Sequence, residues 1–170
     1  YIARSFDINK PGAKPEKMKG GVLGGAIVEG KLKINDEVEI RPGVVSEKGH
    51  KPLFTKITGL QNAGMDLEEA GTGGLLGLLT GLDPYTTKSD DLVGNILGLP
   101  GRLPEVRNSL VLEVKLLERV VGSRELVAVE PIKSGEIVMI NIGTARSVGV
   151  VGSTKKNIIE LKLKIPVCAE

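Results

Sequence analysis

Few residues of this 170-residue chain combine the type and spacing that chemistry requires. The most suggestive stretch is Gly25–Lys31 (GAIVEGK). A phosphate-binding loop, G-x-x-x-x-G-K-[ST], cradles phosphates on backbone N–H groups, reaches the β/γ oxygens with Lys and holds magnesium through its hydroxyl. Here Leu32 stands in place of the hydroxyl, and the glycines follow an apolar run instead of opening a helix, so a hairpin turn is predicted. Gly71–Gly77 (GTGGLLG) misses the G-x-G-x-x-G spacing and has no helix behind it to lend a dipole; it reads as a turn entering a strand. His50, the single histidine, lies in Glu47–Pro52 (EKGHKP), a loop by composition, with no nucleophile motif to serve. The single cysteine, Cys168, follows Pro166 and Val167 and reads as a small buried hydrophobe. One cysteine excludes an internal disulfide and a Cys-based zinc site, and fits a reducing cytoplasm. The paired acids Glu68-Glu69 and Asp90-Asp91 diverge on a strand or turn and read as solvated. With no catalytic constellation, the chain by itself is expected to be neither an enzyme nor a holder of metal or cofactor.

Charge offers binding instead of catalysis. Lys10, Lys14, Lys17 and Lys19 form a basic loop opposed only by Glu16, able to track phosphates without reading sequence. Overall the balance is nearly neutral, 23 basic against 21 acidic residues, so bulk electrostatics make no case for nucleic acid. The distribution is uneven: residues 1–60 hold 11 Lys/Arg against 7 Asp/Glu, whereas 61–101 hold Lys88 alone against 6 acids. Scarce aromatics (2 Tyr, 2 Phe, no Trp) argue against base stacking as the main mode of binding.

The elements that must position these groups read as strands. With 23 Gly, 9 Pro and abundant Val, Ile and Leu, the chain suits many short strands joined by tight turns. Tyr1–Ile8, Gly20–Val28, Asp36–Arg41, Leu53–Leu60, Leu75–Leu79 and Leu92–Leu99 are predicted runs in the first part. Glycines in Gly20–Val28 (GGVLGGAIV) point to a bulge or a close backbone approach. Asp36–Arg41 alternates, Val38 and Ile40 on one face and Glu37 and Glu39 on the other, and Pro42-Gly43 is predicted to close it. Met65–Ala70 is the only helix-like fragment, and it is too short to matter. Leu99–Pro104 (LPGRLP) reads as a domain joint. Beyond it Leu110–Leu116, Glu136–Ile142, Arg146–Val151 and Ile159–Ile165 are strands, with Gly143-Thr144-Ala145 as a turn. The fold class is therefore all-β, two small antiparallel β-barrels over 1–101 and 102–170. The second is short for a barrel, and strands are expected after Glu170. A start at Tyr1, without initiator Met or signal segment, reads as a piece of something longer. No apolar stretch approaches the roughly 18–20 residues of a membrane span.

Several segments, in order, resemble the gamma subunit of translation initiation factor two of archaea and eukaryotes. They include Ala3–Gly12 (ARSFDINKPG), Lys19–Ile27 (KGGVLGGAI), Asp36–Gly43 (DEVEIRPG), Ala70–Leu75 (AGTGGL) and Thr87–Asp90 (TKSD). Arg119–Gly122 (RVVG), Gly135–Gly143 (GEIVMINIG) and Pro166–Glu170 (PVCAE) continue the match through nearly the whole chain. The spacing of Gly20, Gly25 and Gly30 is similar, more broadly, to the second domain of elongation-type GTPases.

The resemblance implies barrels like domains II and III of a translational GTPase, with the GTP-binding domain, its GTP and its Mg2+ outside this chain. It implies a cytoplasmic protein that delivers initiator methionyl-tRNA to the small ribosomal subunit alongside alpha and beta subunits. On that reading Gly73, Gly74, Leu75, Leu76 and Gly77 lie near the tRNA acceptor end. Lys10, Lys14, Lys17 and Lys19 would touch phosphates, and Asp83, Asp90 and Asp91 would meet the alpha subunit. The alternatives are a protein–protein module that never touches tRNA, and the barrel portion of an elongation or selenocysteine-type factor.

Overall fold

The computed structural model describes residues 1–47, 49–118 and 129–169. They divide into two compact units, Tyr1–Val106 with 142–145 and 167–169, and Arg107–Asn141 with 146–166. In the first unit the strands are β1 (Ile2–Phe6), β2 (Val22–Gly25), β3 (Leu32–Lys33), β4 (Glu37–Ser46), β5 (Gly49–Asn62), β6 (Met65–Leu67), β7 (Glu69–Ala70), β8 (Leu76–Thr80) and β9 (Ile96–Gly98). Six of them follow one antiparallel path, β1-β2-β8-β5-β4-β9, with β6 added beside β5 and β3 pairing β7 apart. The path curls back on itself. Ile2 N–H donates to Asn95 O at 3.0 Å and Gly94 N–H to Ile2 O at 3.2 Å, joining β1 to the residues just before β9. A sheet closed in this way leaves few unpaired edges.

Aliphatic alternation supplies the interior. Leu23, Val38, Ile40, Ile57 and Leu92 are fully buried, with Ile2, Leu60, Leu76 and Leu78 close behind. Each such side chain withdraws apolar surface worth about 1.5–3 kcal/mol relative to exposure. Gly25 answers the expectation of a close backbone approach: a Cβ there would stand 2.0 Å from Tyr1 O, opposite a bulge between Ile2 and Arg4. Without the side chain, β1 and β2 can pair through the bulge.

Local expectations fail at several places. Pro42-Gly43 does not end β4; it makes a bulge between Ile40 and Val44, and pairing with β5 resumes to Ser46. Met65–Ala70 is not helical. Ala63 and Gly64 both take left-handed φ (47° and 82°), the two-residue hairpin geometry that pairs Asn62 with Met65. Gly25–Lys31 is no hairpin turn either, because β2 pairs β1 and β8 while β3 pairs β7. His50 lies in β5 opposite Val45, not in a loop.

The second unit holds a four-stranded antiparallel sheet, order β10-β13-β12-β11, from β10 (Val106–Glu113), β11 (Ile137–Ile142), β12 (Ala145–Lys155) and β13 (Ile158–Cys168). Along β13 Ile159, Leu161 and Leu163 are buried and Glu160, Lys162 and Lys164 exposed, a period of two that ends at Ile165, which is exposed. Val151 and Leu110 pack inward with them. Gly143, at φ +58°, lies in the expected turn between β11 and β12.

Candidate functional site

The glycine-rich entry to β8 splits into two environments. Gly73 and Gly74 take φ of +95° and +69°, which side chains resist, and Gly73 N–H donates to Ile27 O at 3.2 Å. Asn62 Nδ2 donates to Leu75 O at 2.9 Å and so holds the loop's exit. Leu75 is 79% exposed, whereas Leu76 is 6% exposed and belongs to the core. Gly77 pairs with Gly24 on one side and Gln61 on the other, inside the ladder. Gly73, Gly74 and Leu75 therefore present backbone and an apolar side chain outward. Leu76 instead lines a cleft of about 830 Å³ that also touches Gly24–Leu32 and Ile96–Leu99.

The four lysines lie in the loop between β1 and β2, all of them exposed. Asn9 closes it: its Nδ2 donates to Lys19 O and its Oδ1 accepts from Lys19 N–H, both at 2.7 Å. Among the described residues none of Lys10, Lys14, Lys17 and Lys19 pairs with an acid.

The three aspartates do different work. Asp83 caps the short helix α1 (Pro84–Thr87), its Oδ1 accepting from Tyr85 N–H at 2.8 Å. The pairing of Asp83 with Pro84 was a sequence signal for this helix. Asp90 is turned inward as a clip, its Oδ1 accepting from Ser5 N–H and Arg4 Nε, both at 2.9 Å. The Ser5 amide first, then Arg4, hold its carboxyl below the usual range. Asp91 is exposed, with no partner for its carboxylate among the described residues. Ser89 and Asp90 are left-handed at φ 56° and 62°, so the Asp90 contacts also brace a strained bend.

Two charged groups with structural roles escaped the sequence reading. Glu39, read only as lying on the face opposite Val38 and Ile40, is 1% exposed, and its Oε2 accepts from Gly101 N–H at 2.9 Å. Burial pushes its carboxyl up, but the Gly101 bond and the Arg41 pairing outweigh this and leave it low. Arg41 reaches Leu103 O at 3.4 Å, so the 99–104 segment is tied to β4 rather than free. Glu69, read with Glu68 as solvated, bridges Lys31 (2.8 Å) and Lys33 (2.9 Å); hydrogen bonds from those two ammoniums take its carboxyl down to about 2. Burial pushes the Cys168 thiol up, consistent with an inert hydrophobe.

GTP and Mg2+ do not fit the P-loop-like segment. Lys31 is engaged by Glu69, Leu32 begins β3, and no helix follows Gly30 to present its N–H groups.

Comparison with known proteins decides the family. Residues 108–170 match the family model "Initiation factor eIF2 gamma, C terminal", and residues 20–103 match "Elongation factor Tu domain 2". The chain is 56% identical over 99% of its length to the translation initiation factor 2 subunit gamma of Thermococcus onnurineus. It is 51% identical over its full length to that of Methanocaldococcus jannaschii. The chain belongs to the gamma-subunit family of translation initiation factor 2. It spans 42% of the length of each of those two relatives. A bacterial selenocysteine-specific elongation factor structure overlays the whole chain at TM-score 0.65 and 24% identity, covering 23% of that protein, a likeness of fold. In this gamma-family chain RSFDINKPG covers the end of β1 and the start of the lysine loop, and KGGVLGGAI spans β2. The RVVG segment, Arg119–Gly122, and Glu170 lie outside the described residues. Among the described residues no helix is long and apolar enough to cross a membrane.

Proposed function

We propose that this chain is the part of a translation initiation factor GTPase that helps hold the aminoacyl acceptor end of initiator methionyl-tRNA for delivery to the small ribosomal subunit. Residues 1–101 form the acceptor-end and alpha-subunit barrel, and 102–170 the third-domain barrel. The nucleotide, its Mg2+ and the main beta-subunit contact belong to the GTP-binding domain, and the factor works in the cytoplasm. Identity of 51–56% to gamma subunits across the whole chain carries this reading.

Within the first barrel the left-handed Gly73-Gly74 loop and exposed Leu75 are the acceptor-end surface. Backbone approaches base and sugar there, and Leu75 meets the methionyl side chain. Lys10, Lys14, Lys17 and Lys19 add phosphate contacts. A gel-shift titration of initiator methionyl-tRNA against the full-length factor tests this with Gly74→Asp and Leu75→Asp. Both variants are expected to weaken binding by about tenfold, the loss of one good contact of roughly 1.4 kcal/mol. Wild-type affinity in both would sink the assignment. Leu76→Asp is unsuitable, because it places a charge in the core.

The exposed Asp91 carboxylate supports a second surface, docking of the alpha subunit beside α1. Asp91→Lys is expected to reduce alpha-subunit capture in a pull-down, and unchanged capture removes it from the interface. Asp90→Lys would confound this by releasing the clip on Arg4 and Ser5.

A further inference from the structure

We infer that Asn9 is a positioning residue for the lysine loop: with Asp7 it forms a side-chain staple that orders the backbone from which the four lysines reach an RNA phosphate backbone. This rests on reading those lysines as phosphate contacts. The amide of Asn9 copies a strand pairing with Lys19, giving one N–H and accepting one, each at 2.7 Å. Asp7 Oδ1 accepts from both Asn9 N–H and Asn9 Nδ2 at 2.7 Å, fixing which way the amide faces. Inside the staple the backbone is bonded at each turn. Lys10 O accepts from Ala13 N–H at 3.0 Å, Lys14 O from Lys17 N–H at 2.9 Å, and Pro15 O from Met18 N–H at 3.2 Å. Pro11 and Pro15 remove further freedom. Below the staple, Gly20 is pressed against β8, where a Cβ would stand 1.9 Å from Thr80 O. The lysine stems thus leave an ordered base, while their ammonium groups have no acid to hold them among the described residues. Long cationic side chains on an ordered base lose less freedom on binding than the same chains on a loose loop.

The test is filter binding of initiator methionyl-tRNA to the full-length factor across a salt series. It compares wild type, Asn9→Ala, a variant combining Lys10→Gln, Lys14→Gln, Lys17→Gln and Lys19→Gln, and all five changes together. Asn9→Ala removes no charge, yet it is expected to lower the slope of log affinity against log salt by about 0.7–0.9, the equivalent of one phosphate contact. In the four-glutamine background it is expected to change nothing further. A lysine variant that loses slope while Asn9→Ala keeps it would overturn the staple and leave the phosphate reading standing. A lysine variant with wild-type slope would remove the phosphate reading, and the inference with it. Wild-type hydrogen exchange provides a readout that needs no variant to fold. The Lys19 amide is expected to be protected, and exchange at the rate of an open loop overturns the staple.

Discussion

Single residues show how little a side chain's type says without its neighbours. Glu37 and Glu39 alternate with Val38 and Ile40 in sequence, yet Glu39 is buried because Arg41 and the Gly101 amide meet it there. A carboxylate with such partners can lie in an apolar wall, whereas an unpaired one could not. Glu69 differs again, held by two lysines at the edge of the β3–β7 pair. Its carboxyl, lowered from 4.5 to about 2, stabilises the fold above its ordinary value. That contribution is expected to be lost as pH falls from about 4.5 through about 2. Side-chain carboxyl shifts followed by NMR across an acid titration check this. A Glu69 midpoint near 4.5 would show that the two lysines do not hold it in solution.

At the level of elements, the glycines of β2 explain why a run that looks weak for a strand lies centrally in the first barrel. Two of the four residues of β2 are Gly, which weakens a strand, but Gly25 admits the bulged backbone of β1. Gly25→Ala would drive a methyl to 2.0 Å from Tyr1 O, and its overpacking is expected to cost about 1–3 kcal/mol in denaturant unfolding. Gly71→Ala is the matched control: nothing lies within 4 Å and its φ is not left-handed. It is expected to be neutral within about 0.5 kcal/mol, and equal losses in the two variants would refute the close-approach argument. The same scale explains why the helix-like fragment Met65–Ala70 forms strands instead. Two left-handed residues before it turn the chain back along β5, and pairing then decides its conformation.

For the whole molecule, near-neutral charge separates two ways of holding RNA. A net +2 over 170 residues supplies little non-specific attraction. This chain alone is expected to bind an unrelated RNA no more tightly than about 10⁻⁶ M at physiological salt. Fluorescence anisotropy with a labelled non-cognate RNA measures it, and sub-micromolar binding would reopen the case for bulk electrostatics. By itself the sequence determined the all-β class, most strand positions, the turn at Gly143 and the family resemblance, because apolar alternation, turn residues and ordered motifs are local properties. Only the tertiary structure separated Leu75 from Leu76, gave Asp90 a clip and Asp83 a cap, buried Glu39 and closed the lysine loop through Asn9. Those outcomes depend on which distant backbone N–H, carbonyl or charge arrives beside each group. Hydrogen bonds and desolvation act over a few ångströms in space, and spacing along the chain does not report that distance.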